Sequence, residues 1–365
     1  MPNFAPTEEQ EEIRNLARSV AMEQLRPQGR ASEQRGDIAP ELMRTLAQTG
    51  LISPFPEQFG GSGAIEAVTY ALIAEELGFG DGALAMNVIG SLMGPVAVAL
   101  SGNEEQQHTY IPAFCDERSA ATQRGSLAFA ERTGGYELAD ISAIARKEGD
   151  TYIVNGTKRD VLHGAQSSPR VVLLRVENTG GYSGLCALMI PAQAEGLRIQ
   201  HDAHKLGLIA VPSASIDFNN AVISASCMLG APGNSGVIRA AALYSILRAS
   251  VACGMARAAL EYAMNYARER IAFGRPIASY QGIAFMVAEM AMKLDAARLY
   301  VWRAATEWDG DTELETLVKD AEAAQRQALK IAKSATIDAV QILGGAGFIQ
   351  DHPVEMWARN AAAME

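Results

Sequence analysis

Glu269-Arg270-Ile271-Ala272-Phe273-Gly274-Arg275-Pro276-Ile277, then Tyr280-Gln281-Gly282, then Ile283, Met286, Val287, Met290, Leu294, Ala297 and Val301, is the stretch on which the fold turns. Its apolar positions after Gly282 recur every three or four residues, which places one broad stripe along a long helix. The Met-rich face reads as helix-bundle core, because unbranched thioether side chains fill irregular gaps between helices. From Gly236 onward the period is helical throughout.

Upstream of Gly236 the pattern changes. Short β-type runs, Ser126 to Ala130, Tyr152 to Val154, Val171 to Val176, Leu185 to Ile190 and Ser215 to Phe218, are separated by turns at Gly149-Asp150, Asn155-Gly156 and Gly180. The first third reads as helices. Thr7 and Gln10 form a capping box ahead of a helix from about Glu8 to Leu25, which Pro27 and the Gly29 to Gly36 stretch are expected to break. A second helix starts near Pro40 and stops at Gly50, and further runs cover Ala64 to Leu77, parts of Gly82 to Leu100, and Glu104 to Phe114. Helices, strands and helices in separate blocks predict an α+β fold rather than alternating βαβ units. The expected boundaries are 1–123, 124–232 and 233–365.

The chain has 365 residues, with 31 Lys plus Arg against 42 Asp plus Glu and a net charge of −11. That balance disfavours nucleic acid as a partner. With 48% hydrophobic and 20% charged residues, the chain has the apolar content to fold around large cores. Cys115, Cys186, Cys227 and Cys253 are widely spaced, without a CxxC pair, and read as buried thiols in a reducing compartment. The start lacks a basic, apolar leader, so a cytoplasmic location is expected. Gly82 to Gly102 is membrane-like, but Asn87, Ser91 and Pro95 interrupt it, and it reads as a buried helix rather than a membrane span.

Self-contained catalytic signatures are missing. Gly60-Gly61-Ser62-Gly63 follows no apolar strand and has Glu66 where a dinucleotide fingerprint needs a small residue. There is no GxSxG elbow, HExxH or P-loop, and His108, His163, His201, His204 and His352 are scattered, so no metal site is expected.

The run from Glu269 to Gln281 resembles the signature of the acyl-CoA dehydrogenase family. Gln341-Ile342-Leu343-Gly344-Gly345-Ala346-Gly347-Phe348, with Pro353-Val354-Glu355 and Arg359 beyond, is similar to that family's C-terminal motif. Lys147 to Lys158 resembles its central hairpin. The resemblance implies an N-terminal helical domain, a middle β-barrel-like domain and a C-terminal four-helix bundle, usually assembled as a tetramer. It also implies FAD, an acyl-CoA substrate, an electron-transferring flavoprotein as electron acceptor, and the α,β-dehydrogenation chemistry of β-oxidation. In the family the flavin is shared at a subunit interface. By that resemblance Arg270, Phe273 and Gln281, with Gln341, Gly344 and Gly345, would be lent to a neighbour's FAD. A guanidinium suits pyrophosphate oxygens, and paired glycines let backbone N–H groups approach a ligand closely.

The chain's own half of the site departs from the pattern. Where the family has Thr-Glu-Pro and then Gly-Ser-Asp, this sequence has Ala130-Glu131-Arg132 and Gly135-Tyr136-Glu137. The tryptophan and threonine that meet the flavin are replaced by Asp160 and Leu162. The catalytic glutamate that follows the arginine matching Arg359 falls past Glu365, and the alternative base position is Tyr244, followed by Ser245 where arginine is common. No catalytic residue is therefore expected in this chain. The reading favoured is a subunit of a heteromeric dehydrogenase, a heterotetramer whose catalytic partner holds the FAD, as in members acting on sterol side-chain CoA thioesters. Two others compete: a homotetramer whose glutamate lies beyond the sequence, and a flavin-free binding or scaffold homologue.

Overall fold

The computed structural model describes residues 5–63, 65–131, 135–202 and 205–365. Arg132, His204 and Ala64 lie outside them.

The first helices, α1 (Glu8–Val20), α2 (Arg26–Arg35) and α3 (Pro40–Gln48), are followed by the central pair α4 (Ala67–Gly80) and α5 (Gly82–Ser101). The short helices α6 (Glu104–Tyr110), α7 (Pro112–Cys115) and α8 (Glu117–Ala120) complete this layer. The capping box is formed as expected: Gln10 N donates to Thr7 Oγ1 at 3.2 Å and Thr7 N to Gln10 Oε1 at 3.0 Å. The expected break at Pro27 does not occur. The chain passes through one π-helical turn, Ala21–Leu25, and continues as α2 with Pro27 in its first turn, where a missing N–H costs no helical bond.

The middle residues form one seven-stranded mixed sheet. Its strands are β1 (Ser126–Ala128), β2 (Ile144–Glu148), β3 (Thr151–Leu162), β4 (Arg170–Val176), β5 (Leu185–Met189), β6 (Leu197–His201) and β7 (Ser213–Ser224). They run in the order β1-β4-β2-β3-β7-β6, with β5 on β4. The sheet encloses its own core, including Val154, Val172, Leu174, Leu188, Ile216 and Phe218.

The last third is α9 (Ser235–Glu269), a hairpin of β8 (Ile271–Ala272) and β9 (Arg275–Pro276), α10 (Gln281–Asp309), α11 (Leu314–Leu343) and α12 (Val354–Met364). Met290, Leu294, Ala297 and Val301 of the expected stripe are buried on α10. The helices α4 and α9 cross backbone to backbone: a Cβ on Gly254 would lie 2.1 Å from Glu75 O, so only glycine permits the approach. Beside that crossing, Arg298 meets Glu75 at 2.8 Å and Arg257 meets it at 3.2 Å, tying α4 to α9 and α10 with little exposed charge. Both α5 and α9 are long and apolar enough to cross a membrane, and both are almost wholly buried among the other helices, which accounts for their composition. The four cysteines are free thiols. Among the described residues no group of His, Cys, Asp and Glu is arranged to hold a metal ion.

Candidate functional site

Two places carry the residues singled out in the sequence. The first is the hairpin after α9. Ile271 pairs with Pro276 and Ala272 with Arg275, leaving Phe273-Gly274 as a two-residue turn with both φ values positive, 51° and 81°. Turns of this kind match strand twist and favour Asn-Gly or Gly-Gly, so a bulky ring at the first position is held in an unfavourable backbone region. The ring is also 96% exposed.

The frame behind it is stiff. Tyr280 Oη donates to Ala272 O at 3.0 Å, Ile277 N to Arg270 O at 2.9 Å, and the Arg275 guanidinium lies 4.2 Å from the Tyr280 ring centre. Arg270 and Gln281 are exposed, and neither side chain makes a hydrogen bond or ion pair among the described residues. Gln341, at the end of α11, is exposed as well, and Gly344 and Gly345 follow with no heavy atom within 4 Å of the Cβ that Gly344 lacks. Gly344 has φ 61°, which any side chain would strain. These groups therefore lie on the exposed surface of the C-terminal helices, free of contact at the positions a ligand would use.

The second place is a cavity of about 470 Å³ where the sheet meets α9 and α12. Asp160, Leu162, Tyr136, Tyr244, Arg248 and Glu365 all line it. A bulge between Lys158 and Val161 in the β3–β7 ladder, with Asp160 at φ 52°, turns the Asp160 side chain out of register toward it. Burial raises the Asp160 carboxyl above its usual range, with the neighbouring Asp202 charge adding to the rise.

Aromatic rings fill part of this region. Phe129 meets Tyr136 at 5.7 Å and Tyr244 at 5.9 Å, both edge to face, and Arg248 stacks 3.7 Å from the Tyr136 ring centre. Tyr244, at the alternative base position, is 4% exposed, and burial pushes its phenol far above the ordinary value. It cannot take a proton as a carboxylate would. Glu365 reaches the rim, where its carboxylate pairs with Lys333.

Glu131, the one residue of Ala130-Glu131 that keeps its expected type, is structural. It accepts from Ser142 N and Ala143 N, each at 2.8 Å, and from the fully buried Lys158 ammonium at 2.8 Å. Burial brings Lys158 down to about 8, partly offset by Glu131. Burial would raise Glu131, but the Lys158 charge and these bonds hold it below the ordinary carboxylate range.

Arg248 is the residue that the sequence reading missed. It stands one helical turn after Ser245, on the same side of α9, so the arginine expected at the earlier position has a counterpart displaced along the helix.

Comparison with known proteins agrees with this architecture. Residues 7–118, 126–221 and 234–365 match family models described as the N-terminal, middle and C-terminal domains of acyl-CoA dehydrogenase. An acyl-CoA dehydrogenase of Bacillus subtilis is 32% identical over 359 residues, covering 97% of this chain and 93% of that protein. A cyclohex-1-ene-1-carbonyl-CoA dehydrogenase of Syntrophus aciditrophicus is 29% identical over 97% of this chain and 85% of its own. The structure of butyryl-CoA dehydrogenase from Megasphaera elsdenii superposes with a TM-score of 0.83 at 27% identity, over 100% of this chain and 95% of that one.

Proposed function

The chain belongs to the acyl-CoA dehydrogenase family, and on that premise we propose that it is the non-catalytic subunit of a heteromeric, FAD-dependent member. The single observation that carries this reading is the opposition between the two places just described. Phe273 stands almost fully exposed at a strained turn tip beside unpartnered Arg270 and Gln281, while the chain's own flavin-facing positions are occupied by Leu162, Asp160 and the Tyr136–Arg248 stack.

The surface residues fit a nucleotide. Arg270 would bind pyrophosphate oxygens, Phe273 would pack on the adenine or ribose, Gln281 and Gln341 would hydrogen-bond the nucleotide, and Gly344-Gly345 would admit it close to the backbone. The interior residues do not fit an isoalloxazine: Leu162 offers no donor, and a carboxylate at Asp160 opposes an electron-rich ring and phosphate edge. In the complex the catalytic partner would supply the glutamate base that removes the α-proton of the acyl-CoA, and bound FAD would supply the hydride-accepting chemistry, with an electron-transferring flavoprotein as electron acceptor. This chain orients the cofactor and performs no proton transfer of its own. On this reading the heterotetramer is cytoplasmic, and residues 1–123, 124–232 and 233–365 are its three domains.

Coexpression with neighbouring dehydrogenase subunits, followed by native mass spectrometry, tests the proposal by counting chains and FAD together. A straight-chain acyl-CoA and a sterol side-chain CoA ester serve as trial substrates. Arg270→Ala is expected to leave this chain folded and lower the flavin content of the complex about tenfold, the loss of one charge-assisted phosphate contact. A yellow, active protein without any partner overturns the reading, and so does a preparation that stays colourless with every candidate subunit.

A further inference from the structure

The cavity between the sheet, α9 and α12 holds a permanent cation with unused donors. Arg248 is 3% exposed, and its Nη2 donates to Met364 O at 2.7 Å. Its Nε and Nη1 are buried without a hydrogen-bond partner among the described residues. A guanidinium cannot escape this by losing its proton, so the arrangement calls for an acceptor from outside the chain.

The other charged groups lining the cavity are already engaged or set apart. Lys205 donates to the carbonyls of Leu208 and Val211, Arg359 is held by Glu33 and Glu355, and Glu365 pairs with Lys333. Asp160 feels the Arg248 charge but makes no ion pair with it. The remaining wall is largely apolar, with Met86, Leu162, Leu208 and Met364.

We propose that this cavity binds a small carboxylic acid as its anion, with the carboxylate accepting from Arg248 and an apolar body lying along the Met86–Leu162–Leu208 wall. A monoanion is specified by the charge balance. Arg248 and Lys205, both bonded only to neutral carbonyls, set against Asp160 leave one net positive charge, which matches a monoanion and falls short of a phosphate dianion. At about 470 Å³ the space admits a medium-length aliphatic acid. This assignment concerns the chain's own cavity and is separate from the cofactor reading: flavin content reports on one, acid binding on the other.

The test is calorimetric titration of the full chain, with its co-purifying subunits where it has them, using octanoate and its neutral isostere octanamide. Octanoate should bind at least about tenfold more tightly than octanamide, since the amide leaves the guanidinium without an anionic acceptor. Arg248→Met should erase the preference, and Arg248→Lys should keep part of it. Circular dichroism on both variants separates lost binding from lost folding, and the acid–amide comparison on the unaltered protein stands even if Arg248→Met fails to fold. Equal affinity for acid and amide, or no saturation by octanoate at about 5 mM, overturns the assignment.

Discussion

The hairpin edge at Arg270–Gln281 and the cavity around Arg248 use opposite designs. At the edge, the backbone is rigid and the side chains are unspent: ladder pairs and the Tyr280 bond hold Phe273, Arg270 and Gln281 outward without engaging them. In the interior, side chains are spent on each other: Phe129, Tyr136, Tyr244 and Arg248 pack together beside the cavity. Lending a contact outward requires only a stiff local frame. Seating a flavin requires space, donors at the ring edge and neighbouring charge in agreement, and although a cavity remains, Leu162 offers no donor and Asp160 brings an opposing charge.

The contrast makes its strongest prediction in the sheet. Lys158→Met leaves the Glu131 carboxylate partly buried and without its cation, and should destabilise the protein by about 3–5 kcal/mol in urea titration. An unchanged midpoint would mean that the interior is not held by this pair.

A somewhat smaller effect is expected at His163, which follows Leu162 and whose Nε2 donates to Asn87 O at 2.9 Å. Burial holds its imidazole down to about 4, against 6.5 when free. The unfolded chain therefore binds a proton across that window and the folded chain does not, so the His163 contribution is lost as pH falls, by about 3 kcal/mol in total. Burial raises Asp81 to about 6 from 3.8, which acts in the opposite sense because there the folded state binds the extra proton. The His163 contribution is therefore read from the difference between wild type and a His163 variant, in which Asp81 and the other carboxylates cancel. His163→Asn should gain on wild type by about 3 kcal/mol between pH 6.5 and pH 4. A flat difference between the two proteins over that range would show that His163 titrates freely.

The smallest stability effect belongs to the edge. Phe273→Ala removes an exposed ring and should change stability by less than about 0.5 kcal/mol, while still reducing flavin retention in the complex. A large loss of stability in the isolated chain would show that the ring packs within its own fold, erasing the difference between the two regions.

Much of the architecture was legible along the chain. The capping box at Thr7, the buried part of the α10 stripe and most β-type runs of the middle sheet are local patterns that formed where their chemistry placed them, but β3 continues through Asn155-Gly156, where a turn was expected, because a bulge between Val154 and Gly156 takes up the irregularity. Pro27 misled because a π turn just before it absorbs the missing bond, an adjustment that leaves no mark on periodicity. Strand β6 leaves little mark on the sequence because Leu197-Arg198-Ile199-Gln200-His201 is short and only partly buried. Arg248 gave one faint signal, its place one turn beyond Ser245, which becomes readable only when α9 is known to face the cavity.

The amino-acid order alone determined the succession of helices, strands and helices and the identity of the hairpin, because helical period, turn residues and motif spacing act between near neighbours. Tertiary structure alone decided that Tyr136 meets Arg248, that Lys158 meets Glu131, and that two nitrogens of a buried guanidinium are left without an acceptor among the described residues. Those facts depend on distances between segments far apart in the chain and on what packing excludes from water.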